Sequence, residues 1–465
     1  MSRGSAGSPS GGGVRLTRRA RIIGRTAFGA ASALVLVAAG LGWYLHTAVL
    51  GSLATSHALA GLSGSSGGSV NILLMGLDSR RDMDGGALSP SVLAQLHAGD
   101  SSDIGGYNTN TLILLHVPAD GSRAVALSIP RDDYVTLPDG LGQNKIKEAY
   151  GLAKAQAEST ASNSGSTDPS ALEQLGREAG RRAATEAVED LLGVNVDHFA
   201  EVNLVGFYDL ANAIGGVQVC LNAPVRDSYS GADFPAGVQT LDGAQALAFV
   251  RQRHGLANGD LDRTHRQQAF LASAAHKLET EGVFDSLGKL TALIGVAQKD
   301  VVVDSGFDVL SFLTRAQSVT SGDVTFYTLP IKGYATINGE SVNVIDPEQV
   351  RETAQRLLAG ESPDPAPSAS SGSTGDGGDS GDDGGDGGGD GGGTAQVTAA
   401  GSAAGTGGAS AGLSSVQSGP AIPQAQAEQQ AGQAGQGSQT DGGPAGSGAS
   451  RQPAFTPPPG VPCVN

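Results

Sequence analysis

The residues best suited to chemistry in this chain are cationic and lie in one stretch, FVRQRHGLANGDLDRTHRQQAFL, at residues 249–271. Guanidinium groups are planar, permanently charged donors that fit phosphate oxygens, so the stretch predicts a site for a polyanion. The alternative is a solvated helix whose ion pairs join the two acids of residues 260–262 to Arg263 or Arg266. The arginines concerned are Arg251, Arg253, Arg263 and Arg266.

Two further groups of charged residues follow short apolar runs. The run VNILLMG is typical of a buried strand, and Asp78 and Arg80 come directly after it. The run RAVALSI is followed at once by a proline and then by Arg131 and Asp132. Ligands of open α/β sheets bind beyond the carboxyl ends of the strands, so we expect both pairs at a binding site.

The arginine stretch is expected to reach the same place. In extended backbone, Arg251 and Arg253 project to one side because the strand repeat is two. On the helix that follows, Arg263 and Gln267 are one turn apart and share a face. Two arginines from a strand and one from a helix can therefore converge on a phosphate group. Arg266 lies on a different face and is expected to be only an ion-pair partner.

Other chemistries lack their motifs. The sequence has no GxSxG elbow between a strand and a helix, no HExxH, no GxxxxGK[ST] loop and no GxGxxG after a strand. The formal net charge of −17 argues against a general nucleic-acid binder, so no nucleic-acid partner is predicted. The few basic residues are local, which indicates a local role.

The N-terminal region predicts a membrane anchor. Residues 1–25 contain six arginines and no acid, and residues 26–50 contain no charged residue. A helix of this length, at about 1.5 Å per residue, crosses a hydrocarbon core of about 30 Å. We predict a single transmembrane helix at 26–50 with a cytoplasmic N-terminus and an extracytoplasmic main domain. The alternative is a cleaved signal peptide. Residues 51–69 are interpreted as a small-residue linker.

The C-terminal region predicts a disordered tail at residues 360–459, because its Gly/Asp/Ala/Ser/Gln-rich sequence has too little apolar surface to offset its chain entropy. A cysteine-containing end, residues 460–465, follows it. An oxidised pair of Cys220 and Cys463 would fasten this end to the fold if the main domain lies in an oxidising compartment. The alternative is two unrelated thiols.

The main domain is expected at residues 70–359. Strands and helices alternate there without a strict repeat, with helical spacing at 171–192 and 347–358 and a hairpin predicted at 335–344. We predict an α/β fold, with α+β as the alternative, in which helices flank a mixed central sheet.

A series of motifs occurs in unbroken order between about residues 70 and 358: NILLMGLDSR, NTNTLILLHV, SIPRDDY, NKIKEAY, GVNVDHFAEVNLVGFYDLANAIGGV, LDGAQALAFVRQRH and DLDRTHRQQ. The series closely resembles the LytR-CpsA-Psr family of bacterial envelope proteins, in its actinobacterial form. The resemblance implies a membrane-anchored phosphotransferase. Such an enzyme takes a glycopolymer linked through pyrophosphate to a polyprenyl lipid and attaches it to peptidoglycan through a phosphodiester, with Mg²⁺.

The resemblance also implies roles for single residues. The arginines and Gln267 bind pyrophosphate, Arg131 lies at the reacting phosphorus, and Asp78 holds Mg²⁺ or acts near the acceptor hydroxyl. The positions that match the family motifs are Asp78 and Arg80 in the first, Arg131 in IPRD, Arg251 and Arg253 in VRxRH, and Arg263 with Gln267 in DxxRxxRQQ.

One position departs from the family pattern. Where the family usually has an aspartate that serves the metal, this chain has Asn110, which keeps an oxygen but loses the charge. A weak metal site at Asp78 and Asn110 is therefore expected, supplemented by a group such as Asp82. The alternatives are a catalytically weakened protein that binds polyprenyl phosphate or wall polymer, and a polyprenyl-pyrophosphate hydrolase.

Overall fold

The structure is a computed structural model that describes residues 53–102, 106–283, 286–308, 324–361 and 457–465. The predicted cytoplasmic segment and transmembrane helix, and nearly all of the predicted tail, lie outside these residues. Within the described ranges, no helix combines the length and apolar character that a membrane span requires.

The strands are numbered in chain order. They are β1 (Ala54–Ser56), β2 (Val70–Leu77), β3 (Thr109–Val117), β4 (Ala124–Ser128), β5 (Tyr134–Thr136), β6 (Gln143–Lys145), β7 (His198–Asn203), β8 (Val217–Leu221), β9 (Val225–Asp227), β10 (Ala232–Phe234), β11 (Gly237–Leu241), β12 (Val301–Asp304), β13 (Val324–Thr328), β14 (Gly333–Ile337), β15 (Glu340–Val344) and β16 (Cys463–Val464).

The helices are numbered in the same way. They are α1 (Pro90–Gln95), α2 (Ala149–Asn163), α3 (Pro169–Leu192), α4 (Leu204–Ala213), α5 (Gly243–Arg251), α6 (Asp260–Thr280), α7 (Leu287–Asp300) and α8 (Pro347–Leu358). The sequence-based bounds of α8 are confirmed, and those of α3 differ by two residues because Asp168 caps a start at Pro169.

A mixed sheet with the strand order β1-β12-β7-β2-β3-β4-β13 forms the centre of the fold. Strands β2, β3 and β4 form an antiparallel meander, while β7 runs parallel to β2 and β13 runs parallel to β4. The predicted mixed sheet flanked by helices is therefore confirmed. Strand β1 falls in the segment interpreted as a linker and pairs with β12, so the fold begins before residue 70. Three residues at a sheet edge leave too short a pattern to recognise from sequence.

The first face of the sheet packs against α2, α3 and α8. Alternate residues of β2, Leu73, Met75 and Leu77, are at most 1% exposed and belong to one core cluster with Tyr150 and Val188 of those helices. This alternation follows from the period of two in a strand. On the second face, Gln268 of α6 donates hydrogen bonds to hydroxyls of β4 and β13. The two faces are thus covered by different helices.

Helix α5 corrects one prediction. Arg251 was expected in extended backbone beside Arg253, but it is the last residue of α5. The helix begins with a reciprocal capping box between Asp242 and Gln245. Its apolar residues then pack into a second core cluster around β8, α4 and α6. Burial of these residues extends the helix to Arg251, where a two-residue repeat was expected.

The C-terminal residues are part of the fold. Strand β16 pairs in parallel with β8, and Cys463 is joined to Cys220 by a disulfide with the Cα atoms 4.3 Å apart. Buried Arg266 of α6 donates through Nε to the main-chain oxygen of Asn465 at 2.6 Å and through Nη1 to Gln252. Arg266 therefore holds the C-terminal segment.

Candidate functional site

Three strand termini of the central meander lie together at one end of the strands. Because β2 and β4 are both antiparallel to β3, their carboxyl ends lie beside the start of β3. Asp78 follows β2, Arg131 follows β4, and Asn110 is the second residue of β3. Asn110 Nδ2 donates to Asp78 Oδ2 at 2.9 Å, and Arg131 Nη1 donates to Asn110 Oδ1. The structure thus brings together the strand-end residues that the sequence indicates.

The start of α6 completes this cluster. Asp260 accepts hydrogen bonds from Arg131 Nε and from Arg263 Nη2, each at 3.0 Å. Arg263 Nη2 also lies 3.2 Å from the main-chain oxygen of Asn110. The ion pair between Asp260 and Arg263 is the one that the solvated-helix interpretation predicts, but both arginines are at most 5% exposed. The pair is therefore partly buried, with Asp260 21% exposed, and it organises the site.

Several guanidinium nitrogens in this cluster have no partner. Within the described ranges, Arg80 Nε and Nη1, Arg131 Nη2 and Arg263 Nε are buried and make no hydrogen bond. Buried N–H groups are nearly always paired in folded proteins, because leaving one unpaired costs about 1–3 kcal/mol. These nitrogens belong to residues that the sequence assigns to a polyanion. Their arrangement is suited to accepting the oxygens of an anionic group.

The cations of the cluster also repel one another. Burial, with the nearby Arg131 and Arg253, lowers the pKa of Arg263 to about 9, although Asp260 opposes the shift. Burial likewise lowers the pKa of Arg251, which Asp78 counteracts and which Arg80 and Arg253 reinforce. Arg263 still carries its charge at neutral pH. An anion bound among these groups would relieve their repulsion.

The other predicted ligands lie around this centre. Arg251 is half-buried and donates to the main-chain oxygen of Leu96 at 2.9 Å. Arg253 is exposed in the connection between α5 and α6, near enough to both Arg251 and Arg263 to depress their pKa values. Gln267 Nε2 makes a long hydrogen bond, 3.4 Å, to the main-chain oxygen of Val250, so in this structure it ties α6 to α5.

Lys147, for which no role was expected from the sequence, supports Arg131. Lys147 Nζ pairs with Asp132 at 2.9 Å, and its main-chain N–H donates to the oxygen of Arg131 at 3.1 Å. Burial, followed by the charge of Arg131, lowers the pKa of Lys147. Its position in the motif NKIKEAY is the signal that could have identified it.

Asp133 is expected to make the free energy of unfolding depend on pH. Burial raises the pKa of Asp133 to about 8, against the hydrogen bond donated by Asn343, and Asp132 and Asp260 add to the rise. The folded state therefore binds a proton that the unfolded chain releases near pH 4. This group should make the free energy of unfolding fall as the pH rises from about 4 to about 8.

The variant Asp133→Asn should flatten that fall, because the amide keeps the oxygen that accepts from Asn343 and does not ionise. Urea unfolding of both proteins across this pH range measures the difference in slope. Equal slopes would show that folding does not raise the pKa of Asp133.

The donor set for a metal ion is small. Within the described ranges, no three His, Cys, Asp or Glu side chains cluster in a way that could hold an ion. Asn110 directs its oxygen to Arg131 and its amide to Asp78, while Asp82 caps the main-chain N–H groups of Asp84 and Gly86. Asp78 therefore remains as the carboxylate that could serve a cation at this position. Such a set suits Mg²⁺ only where substrate phosphates complete the shell.

The variant Asn110→Asp should make the melting temperature of the protein depend on Mg²⁺. It places a second carboxylate about 3 Å from Asp78, where two like charges destabilise the fold unless a cation neutralises them. Without metal, the melting temperature should fall below that of the wild type, and millimolar Mg²⁺ should raise it again. Wild-type protein should respond little to Mg²⁺ in the absence of substrate. A variant that is insensitive to Mg²⁺ would exclude a metal at this pair.

Comparison with known proteins identifies relatives of the whole domain. The LytR_cpsA_psr family profile matches residues 49–359. The cell wall biosynthesis protein LcpA of Corynebacterium glutamicum is 43% identical over 347 residues, which cover 73% of this chain and 66% of LcpA. The polyisoprenyl-teichoic acid–peptidoglycan teichoic acid transferase TagU of Oceanobacillus iheyensis is 30% identical over 62% of this chain and 75% of TagU.

A solved structure, that of protein gbs0355 from Streptococcus agalactiae, is similar with a TM-score of 0.47 at 20% identity. The match covers 64% of this chain and 92% of gbs0355. In sequence, the chain spans just under two thirds of the length of LcpA.

Proposed function

The chain belongs to the LytR-CpsA-Psr family, and on that premise we propose that it is a phosphotransferase of cell-envelope assembly. It transfers a glycopolymer, with its phosphate, from a polyprenyl pyrophosphate to a hydroxyl of peptidoglycan. The relatives named as a cell wall biosynthesis protein and as a teichoic acid–peptidoglycan transferase support this substrate class.

The observation that carries the proposal is the set of unpaired guanidinium nitrogens. Arg80, Arg131 and Arg263 each direct at least one unpaired, buried N–H into a region crowded with positive charge. A pyrophosphate supplies oxygens that accept hydrogen bonds from these N–H groups, and its negative charge offsets the positive charge of the arginines. Phosphoryl transfer requires mainly positioning and charge stabilisation, which such a cluster provides.

The residues of the site have separate roles in the proposed reaction. Arg263, Arg251 and Arg253 hold the pyrophosphate, and Arg131 contacts the reacting phosphorus. The acceptor hydroxyl oxygen forms the new bond to that phosphorus, and the bond to the departing polyprenyl phosphate breaks. The hydroxyl proton passes to the Asp78 carboxylate. Arg131 and Asp78 are the catalytic residues in this scheme. Both are hydrogen-bonded to Asn110, so they lie next to each other in the site.

Mg²⁺ belongs to the proposal as a partner of the substrate phosphates. When bound, it would neutralise charge on the phosphate oxygens, and Asp78 would then hold the ion as the alternative to its role as proton acceptor. Asn110 is the weaker candidate ligand, since its oxygen would first have to leave Arg131.

The proposal places the protein in the cell membrane, with one span at residues 26–50 and its main domain outside the cytoplasm. The basic N-terminal segment and the long uncharged run support this orientation. On the second face of the sheet, Leu74 and Leu115 are half-buried apolar side chains on neighbouring strands. We assign the lipid chain to that face, beneath α6.

An assay with purified protein, polyprenyl-pyrophosphate glycan, peptidoglycan and Mg²⁺ tests this function. Wild type should form covalently linked glycan, and Arg131→Ala should lower the rate by about 10²–10³-fold, as expected when a preorganised cation is removed. A wild type that only binds the lipid would favour the weakened binding protein, which the Asn110 substitution motivates. Release of phosphorylated glycan without attachment would favour a hydrolase.

A further inference from the structure

A cavity opens beside the strand end that carries Asp78. It has a volume of about 630 Å³ and lies between the residues after β2 and the helices α2 and α3. Ser79 and Arg80 line one side, while Lys154 of α2 and Ser170 of α3 line the other. Small-molecule sites have volumes of about 300–1,000 Å³, so the cavity is large enough for one or two sugar rings.

The polar wall of this cavity is already formed. Tyr107 Oη donates to Glu173 at 2.6 Å, and Lys154 Nζ lies 2.8 Å from the same carboxylate and 4.2 Å above the tyrosine ring. Arg177 pairs with Glu173 at 2.7 Å. Burial opposes ionisation of Glu173, but these hydrogen bonds lower its pKa overall. The wall therefore needs no rearrangement before it meets a ligand.

The position of the cavity relates to the direction of the reaction. Arg263, on α6, holds the pyrophosphate from the side of the second sheet face, whereas the cavity is bounded by α2 and α3 of the first face. In phosphoryl transfer, the attacking and leaving oxygens lie roughly in line on opposite sides of phosphorus. Arg80 lines the cavity and lies close enough to Arg251 to lower its pKa, so the cavity adjoins the cation cluster. A hydroxyl group that enters from the cavity would reach the phosphorus from the side of α2 and α3.

We propose that this cavity binds the acceptor sugar of the cell-wall glycan. The inference rests on the proposed transferase function and names the place of its second substrate. The hydroxyl groups of the sugar donate to the carboxylates of Asp84 and Glu158, which line the cavity. Its reacting hydroxyl lies toward Asp78, which takes the proton as the oxygen bonds to phosphorus and polyprenyl phosphate departs.

The variant Ser170→Trp tests the cavity without touching the cluster around Arg131. Ser170 is exposed near the start of α3, and an indole there would occupy part of the cavity beside Lys154 and Glu173. Ser162→Trp is the matched control, because Ser162 is exposed on α2 and does not line the cavity. The probes are a soluble disaccharide-peptide released from peptidoglycan by a muramidase and a short-chain polyprenyl pyrophosphate, each titrated calorimetrically into the full-length protein.

We expect Ser170→Trp to weaken binding of the disaccharide-peptide by about tenfold or more, equivalent to about 1.4 kcal/mol, and to leave binding of the pyrophosphate unchanged. Ser162→Trp should match the wild type for both probes and in melting temperature. Wild type that fails to bind the disaccharide-peptide, or Ser170→Trp that binds it normally, would overturn the inference. Loss of pyrophosphate binding instead would assign the cavity to the lipid-linked substrate. The transfer assay is a separate measurement. Turnover by the wild type, together with normal binding of the disaccharide-peptide to Ser170→Trp, would reject only this inference and not the proposed function.

Discussion

Replacing Arg263 by methionine is expected to lower transfer by about 10²–10³-fold while leaving the protein as stable as the wild type or more so. The loss follows because Arg263 supplies a buried, unpaired N–H at the centre of the cation cluster. Stability is retained because burial and the neighbouring arginines disfavour its charge, and because Asp260 keeps its bond to Arg131. Active sites commonly show this opposition between activity and stability.

Arg266→Met is the matched control on the same helix. Arg266 is also buried, but it bonds to Asn465 and Gln252 and not to the cluster. Burial lowers the pKa of Arg266 as well, to about 10, but its loss leaves the buried Gln252 oxygen unpaired and releases Asn465, and should lower the free energy of unfolding by roughly 1–3 kcal/mol. Binding of polyprenyl pyrophosphate should persist. Rate assays and urea unfolding of both variants distinguish the two arginines, and a stability loss in Arg263→Met with normal turnover would contradict the assignment.

Cys463→Ser should produce the largest change in stability. The disulfide joins residues 243 positions apart, and opening it restores conformational freedom to the unfolded chain. Removing a disulfide of this kind typically lowers the free energy of unfolding by roughly 2–5 kcal/mol. Strand β16 should then leave β8, and the hydrogen bond from Arg266 to Asn465 should be lost. Denaturant unfolding of the oxidised wild type and of the variant measures the difference.

Wild type treated with a reductant provides the control, since it should unfold at the same denaturant concentration as Cys463→Ser. The variant itself should not respond to the reductant. Equal stabilities of oxidised wild type and variant would mean that the C-terminal segment contributes no stabilisation through this bond. Cys463→Ser should leave the affinity for polyprenyl pyrophosphate close to that of the wild type. Arg263, which binds the pyrophosphate, has other hydrogen-bond partners than Arg266, which contacts the C-terminal segment.

Much of the fold could be predicted from local patterns. The apolar run at β2, the hairpin of β3 and β4, and α8 with its cap at Asp346 each carry a period or a capping residue that determines the element. The edge strand β1 could not be predicted, since its three residues are stabilised by pairing with β12 far along the chain. The same holds for β16, which depends on a partner more than 200 residues away.

The site was predictable in its components but not in its connections. Strand ends indicate that Asp78 and Arg131 lie together, yet no sequence spacing shows that Asn110 joins them. Asp260 looked like an ordinary helical ion-pair partner, but in the fold it serves two arginines. The helical position of Arg251 was missed because a two-residue spacing of arginines resembles a strand. Tertiary packing, which a local pattern does not contain, decides each of these points.

The most direct test follows the phosphate next to the glycan. A polyprenyl-pyrophosphate glycan labelled with ³²P at that phosphate is incubated with full-length protein, peptidoglycan and Mg²⁺, and the wall fraction is digested with muramidase. We predict that wild type incorporates the label into muramidase-released fragments in a form that resists phosphomonoesterase, and that Arg131→Ala incorporates it about 10²–10³-fold more slowly. Label that remains on the lipid, or that appears only on free glycan, would contradict the proposed transfer.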